Sequence, residues 1–381
     1  MLFFNDLRIR EVELAQGLAS RARIVALDRS ETVGWGERSL VSRLKLRWQL
    51  ATGGWESWRD DSMERFRMPV VAGMGPLVSR AAARINERRI VQALERFQCS
   101  MVFHSHPLIF MPPPASRRRY RVHFDLVDNF LDGWSDSMVG RARKSFLKDA
   151  LLRADSISAI SHSLCDRIEE VTGRRPAYVP NGAAVEEIQA WPRTRIEETR
   201  RRHGLEGKTT LAYIGNHLDE FDGTEMLVEA FIAARRNRPD LELLMVGPGS
   251  DRVPRARSLG VADGIHVVGP VPTGDVWDYF HVADLGLLPF VLDPGTHDSL
   301  PLKVLEFAAA GKPMLVTPLR ELIRLDLPHL RYSPYDSAAW SAALQDPATY
   351  VRPDPEAILQ ALKPFSWKAA SDSMARVLDL G

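Results

Sequence analysis

The chain has 381 residues, 45% of them hydrophobic and 26% charged, with a formal net charge of +1. That length exceeds one ordinary core and suits two domains, and no apolar run reaches the roughly 18 to 20 residues of a membrane span. Cys99 and Cys165 lack redox or metal spacing, and the opening MLFFNDLRIRE turns acidic too soon for a secretory signal, so a reduced, cytoplasmic protein is expected.

In the first half, apolar strand runs alternate with helical patterns: MLFF, RIVAL, VVAGM, SMVFHSH, RVHFDLV, SISAISH and AYVP, with long helices over GPLVSRAAARINERRIVQALERF and SMVGRARKSFLKDALLRA. This order argues for a parallel sheet covered on both faces. Residues 40–58, LVSRLKLRWQLATGGWESW, interleave Leu and Trp with Arg43, Lys45 and Arg47 and fit either a strand or a helix. They read either as a core-covering element with a solvated basic edge or as a contact with an anionic membrane surface. Residues 1–180 carry 29 Lys/Arg against 21 Asp/Glu, and the remainder 21 against 28; the basic first half fits the membrane reading or ordinary scatter. Arg117, Arg118, Arg119 and Arg121 either add to that charge or solvate a loop.

The alternation pauses at NGAAVEEIQAWPRTR, a polar stretch that sets the boundary near residue 182. Beyond it, LAYIG, LELLMVGPG, IHVVGPV, ADLGLLPF and KPMLVTP are five strands, each followed by a helix. Such doubly wound sheets bind ligands at the carboxyl ends of their strands. After ADLGLLPF comes HDSLPLKVLEFAAAGKP, in which Ser299 is the expected N-cap of a helix with Pro301 in its first turn. Lys303 and Glu306 then share one helix face, the lysine able to reach a phosphate and the glutamate a ribose. The N–H groups of Ser299 to Leu302 are expected to face the same anion, with Asp298 just outside the helix start. A solvated Lys303–Glu306 pair is the plainer alternative.

Asp298-x7-Glu306 followed by A-A-x-G-K-P resembles the nucleotide-sugar motif of the GT-B glycosyltransferases, and YVPNG, LLMVGPG and FSWKAASDSMARVL fit the same pattern. The resemblance implies two Rossmann-like domains facing a cleft: an acceptor domain over 1–182, a nucleotide-sugar domain over 183–363, and a helix in 364–381 crossing back to the first. It implies that Glu306 binds the ribose and that Gly269, Pro270, Val271 and Pro272 lie against the base. Gly215, Asn216, His217, Gly247, Asp298, Ser299, Leu300 and Lys303 complete the donor site.

The loop after the first strand of the second domain departs from the retaining family-4 pattern. Asn216 and Asp222 stand where an Arg and a Lys would serve the diphosphate, leaving Lys303, helix N-termini and His217 as positive partners. This resembles the polysaccharide group that includes the glucuronosyltransferase of xanthan assembly, which implies an inverting transfer with a carboxylate base. Asp128 aligns with that base at the end of the RVHFDLV strand, with Asp125 and Asp132 as competitors. His104 and His106 read as acceptor or donor contacts, or as structural residues, and His162 as a helix-start residue.

The expected activity is transfer from a UDP-sugar to a saccharide or polyprenyl-diphosphate-linked saccharide at the inner face of the membrane, without a cofactor, a metal or nucleic acid. A retaining transferase, a sugar-nucleotide epimerase and a non-catalytic nucleotide-sugar-binding partner are the alternatives.

Overall fold

A computed structural model describes all residues except 4–8, 28–31, 34–55, 60–62, 68–69, 72–75, 218–220, 254–255, 257, 259–262 and 381. The chain divides into two compact units, Met1–Asn181 with Trp367–Gly381, and Gly182–Ser366.

The first unit runs β1 (Leu2–Phe3), α1 (Ile9–Leu18), β2 (Val25–Leu27), β3 (Thr32–Val33), β4 (Glu56–Arg59), β5 (Glu64–Arg67), β6 (Val70–Val71) and α2 (Pro76–Arg96). It continues with β7 (Met101–His104), β8 (Arg121–Leu126), α3 (Met138–Arg153), β9 (Ser156–Ala159), α4 (His162–Thr172) and β10 (Ala177–Tyr178). The eight-stranded sheet is ordered β10-β9-β8-β7-β1-β2-β5-β4 and is parallel apart from the β4–β5 hairpin. Sequence reading missed this hairpin, because its charged ESWR and ERFR carry no apolar run. Of residues 40–58, 40–55 lie outside the described residues and 56–58 open β4.

Local capping sets the helix starts. Ser137 Oγ accepts from Gly140 N–H before α3, and Ser161 Oγ from Leu164 N–H before α4, each satisfying a donor that has no partner inside its helix. His162 is the first residue of α4, as its position after SISAIS suggests. The helix Trp367–Val377 adds Ala370, Met374 and Ala375 to a core shared with Leu14, Ala15 and Leu18 of α1. At the centre of the unit Arg10 is 4% exposed. It donates to both carboxylate oxygens of Asp125, at 2.8 and 3.0 Å, and to the carbonyls of Val179 and Pro180, both at 2.8 Å. One guanidinium thus ties α1, β8 and the residues that follow β10 together. Asp125 also accepts from Ser158 Oγ at 2.5 Å.

The second unit contains α5 (Val185–Gln189), α6 (Arg193–Arg202), β11 (Thr209–Ile214), α7 (Thr224–Arg235), β12 (Leu241–Val246), β13 (Ile265–Gly269), α8 (Val276–Val282) and β14 (Leu285–Leu288). Then follow α9 (Pro294–His297), α10 (Leu302–Ala309), β15 (Met314–Val316), α11 (Arg320–Leu325), β16 (Leu330–Tyr332), α12 (Ser337–Gln345) and α13 (Pro355–Leu362). Its sheet, β13-β12-β11-β14-β15-β16, pairs in parallel throughout. Every residue of β12 is buried, as expected for a strand covered on both faces. The sixth strand, β16, extends the five read from sequence; three residues long and half polar in character, it has no pattern of its own.

Around the opening motif the chain differs from expectation. Asp293 and Thr296 form a capping box that starts the short α9, so residues 298–301 must turn the chain before α10 begins. Pro301, not Ser299, is the N-cap of α10, and no side chain caps it. Ser299 instead donates its N–H, at 3.1 Å, and its hydroxyl, at 2.8 Å, to the Thr296 carbonyl.

Candidate functional site

In the second unit the carboxyl ends of β11, β12 and β13 are laced together. Gly215 N–H donates to Val246 O at 2.9 Å, Gly247 N–H to Gly269 O at 2.7 Å, and His217 N–H to Pro248 O at 2.9 Å. Two glycines make this closeness possible. A Cβ on Gly247, at φ 125°, would lie 2.0 Å from the Gly215 carbonyl oxygen, and one on Gly215, at φ 149°, would lie 2.3 Å from Lys303 Nζ.

Lys303, in the first turn of α10, reaches this place from the next strand unit. Its ammonium lies 4.2 Å from the ring centre of Tyr213 and 5.3 Å from that of Phe290, where aromatic faces attract a cation. Among the described residues no group hydrogen-bonds Lys303 Nζ. Burial pushes its pKa down to about 8, against the pull of Asp222 and Glu306. Burial pushes Glu306 up to about 7, against Lys303. A cation held without hydrogen bonds over an aromatic face, beside backbone that leaves no room for a side chain, is arranged to receive an anion.

Tyr213 and Asp222 are the members that sequence reading missed. Tyr213 is fully buried, and its hydroxyl lies 3.0 Å from both Asp222 Oδ1 and the Asn216 carbonyl. Asp222 thereby supports the ring on which Lys303 rests. A Tyr within the apolar end of β11, with an acid nine positions on, was the available signal, since a buried phenol needs a partner.

His217 is corrected as a positive partner. Burial holds its imidazole down to about 4, with Lys303 adding to the effect, so it is neutral near pH 7. Its Nε2 lies 3.2 Å from the Val246 carbonyl, which makes Nε2 the donor and leaves Nδ1 an acceptor.

The remaining donor-site candidates fall into two sets. Val271 and Pro272, one residue beyond β13, are partly and fully exposed, and Asn216 is exposed beside His217. Asp298, by contrast, is 1% exposed and accepts from Arg320 Nη1 at 3.1 Å. Leu300 is buried and Ser299 is bonded to Thr296. The side chains of Asp298, Ser299 and Leu300 are thus engaged within the unit, whereas Gly215, His217, Gly247, Lys303 and Glu306 come together.

In the first unit, three aspartates near the end of β8 have different surroundings. Asp125 is wholly buried; burial opposes its charge, but Arg10 and Ser158 outweigh that and hold its pKa below the usual range. Asp132 accepts from Arg167 at 2.7 Å through both oxygens and from Asn129 at 3.0 Å. Asp128, two residues past β8, is partly exposed. His104 is corrected as a ligand contact: it is 0% exposed, edge-on to Phe110 and Phe124, and belongs to the core. His106 is partly exposed, and its Nδ1 accepts from Leu108 N–H at 3.1 Å. Arg118 and Arg121 pair with Asp155 and Asp379; they are not merely loop-solvating charges. Among the described residues no helix is long and apolar enough to cross a membrane.

Residues 208–347 match the family model described as glycosyl transferases group 1. A protein of Bacillus subtilis strain 168 named as a teichuronic acid biosynthesis glycosyltransferase, TuaH, is 28% identical over 215 residues, 52% of this chain and 52% of that protein. A D-inositol 3-phosphate glycosyltransferase of Thermobispora bispora is 24% identical over 197 residues, 47% of this chain and 45% of that one. The chain spans about half the length of the curated relatives it matches. Among solved structures, HepE of Anabaena in complex with UDP and glucose superposes with a TM-score of 0.69 at 14% identity, covering 99% of this chain and 98% of that one. At that identity the likeness speaks for the fold alone. The chain thus has the GT-B fold of two Rossmann-like units, and the residues that match the glycosyl transferases group 1 model lie in its second unit.

Proposed function

We propose that the chain is a glycosyltransferase moving a sugar from a nucleoside-diphosphate donor, a UDP-sugar, to a hydroxyl of a saccharide acceptor with inversion at the anomeric carbon. The observation that carries this reading is the Lys303 ammonium, held over Tyr213 with no hydrogen bond to a described residue at the glycine-lined strand ends. On this reading the diphosphate takes up the lysine's three donors, Glu306 holds the ribose, and the base lies near Val271 and Pro272. Asp128 takes the proton of the acceptor hydroxyl as its oxygen bonds to the anomeric carbon. The bond from that carbon to the diphosphate breaks, its electron pair leaves with UDP, and Lys303 steadies the departing charge. Partial exposure favours Asp128 over the wholly buried Asp125, and Asp132, itself partly exposed, is held by Arg167 through both oxygens. The donor is a substrate, and the reading calls for no metal or other cofactor.

The acceptor proposed is a saccharide of polysaccharide or glycolipid assembly, including a polyprenyl-diphosphate-linked one met at the inner membrane face. The teichuronic acid name of one relative and the basic first half support it. Incubation with a panel of UDP-sugars and saccharide acceptors, followed by assignment of the product's anomeric configuration, tests the proposal. Inverted product is expected; retained configuration would remove Asp128 as base, and UDP-sugar binding without turnover under any acceptor would favour the non-catalytic alternative.

A further inference from the structure

We propose that a pocket in the first unit, between α2, α3 and the connection 111–117, is a binding site for an anionic sugar, separate from Asp128. The cavity measures about 560 Å³, inside the range of roughly 300–1,000 Å³ usual for small-molecule sites. Three guanidiniums from three elements line it, Arg84 of α2, Arg117 of the connection and Arg153 of α3, together with the carboxylates of Glu87 and Asp149.

Five charged groups meet here, yet the side chains of Arg84, Glu87, Arg117 and Asp149 form no hydrogen bond or contact ion pair with any described residue. Arg153 makes only a long bond, 3.4 Å, to the Pro112 carbonyl. Burial pushes the Glu87 carboxyl upward even with Arg84, Arg88 and Arg153 nearby.

The walls are built rather than fortuitous. Arg118, whose side chain is 2% exposed, pairs with Asp155 and donates to the carbonyls of Pro113 at 3.2 Å, Tyr120 at 2.7 Å and Arg153 at 2.9 Å. It staples the connection to the end of α3, which fixes the backbones carrying Arg117 and Arg153. The backbones are thus set in advance, while the side chains they carry become ordered when a ligand binds.

The mixture of groups selects the ligand. Guanidiniums pair bidentately with a carboxylate or phosphate, while two carboxylates among them repel a bare polyanion and accept hydrogen bonds from hydroxyls. A sugar carrying one acid group supplies both. Arg117 precedes the amino end of β8 and Asp128 follows its carboxyl end; six residues of strand separate them by about 20 Å. The pocket therefore does not belong to the site of the proposed base.

Calorimetric titration of the full chain with glucuronic acid oligomers, with glucose 6-phosphate and with inorganic phosphate tests the inference. Saturable binding of either sugar is expected, weakened at least tenfold in both Arg84→Ala and Arg117→Ala, and the two sugar arms decide between carboxylate and phosphate as the acid group. Those two side chains bear no hydrogen bond to a described residue, so unchanged unfolding temperature and UDP affinity are expected as evidence of intact fold. No saturable binding of either sugar, inorganic phosphate binding as tightly as sugar phosphate, or affinity unaffected by the two substitutions would overturn it.

Discussion

Replacing Lys303 by methionine, Lys303→Met, separates the stability of the proposed donor site from its use. The folded ammonium has a pKa near 8 in place of the ordinary 10.5, which corresponds to about 3 kcal/mol of disfavoured charge. Lys303 keeps some solvent contact, so about 2 kcal/mol is the working figure after screening. The contact with the Tyr213 ring, 4.2 Å away, returns about 1 kcal/mol. Methionine fills the same space without charge, and the variant is expected to be more stable by about 1 kcal/mol at pH 7, or roughly 2–4 °C in Tm for a domain of this size. Because the folded pKa lies below the unfolded one, the penalty on wild type is complete below about pH 8 and fades as pH rises toward 10.5. The difference between variant and wild type should close over that window. A charge-assisted bond is worth about 1.5–3 kcal/mol, so UDP affinity should fall about 10- to 150-fold. Thermal unfolding at pH 7 and pH 10, with calorimetric titration of UDP, measures both effects. A variant that is less stable than wild type, or binds UDP equally well, would refute the reasoning.

Other substitutions address the remaining parts. Asp128→Asn should lower transfer at least about 100-fold, the scale of a lost general base, with UDP affinity retained; Asp132→Asn should instead lower stability, since it releases Arg167, and comparison of turnover in the two variants decides between them. Gly247→Ala places a methyl 2.0 Å from the Gly215 carbonyl at φ 125°, and a loss of at least about 2 kcal/mol in denaturant unfolding is expected. Asp125→Asn leaves the Arg10 charge buried without its partner, which costs about 3–5 kcal/mol. The Asp125 carboxyl is held below its ordinary pKa, so its contribution is present above an unfolded value of about 4 and disappears as pH falls through the lower folded value. Acid unfolding followed by circular dichroism should therefore be shallower below pH 4 in the variant.

The sequence alone determined what depends on local spacing. Apolar runs between turn residues marked β11, β12, β13, β14 and β15, because a strand covered on both faces needs an unbroken apolar stretch, and the helices of 76–96 and 138–153 stood out by their period. Lys303 and Glu306 were legible as a pair for the same reason, three residues apart on one helix face. Tertiary structure decided what depends on partners far along the chain. Arg10 meets Asp125 across 115 positions, and Arg118 meets Asp155 across 37; no periodicity records such pairings. Lys303 became a cation over a ring rather than one on an open helix face only when α10 laid it over Tyr213 of β11. His104 became core and His217 neutral because burial, a property of the assembled unit, sets the cost of an imidazole's charge.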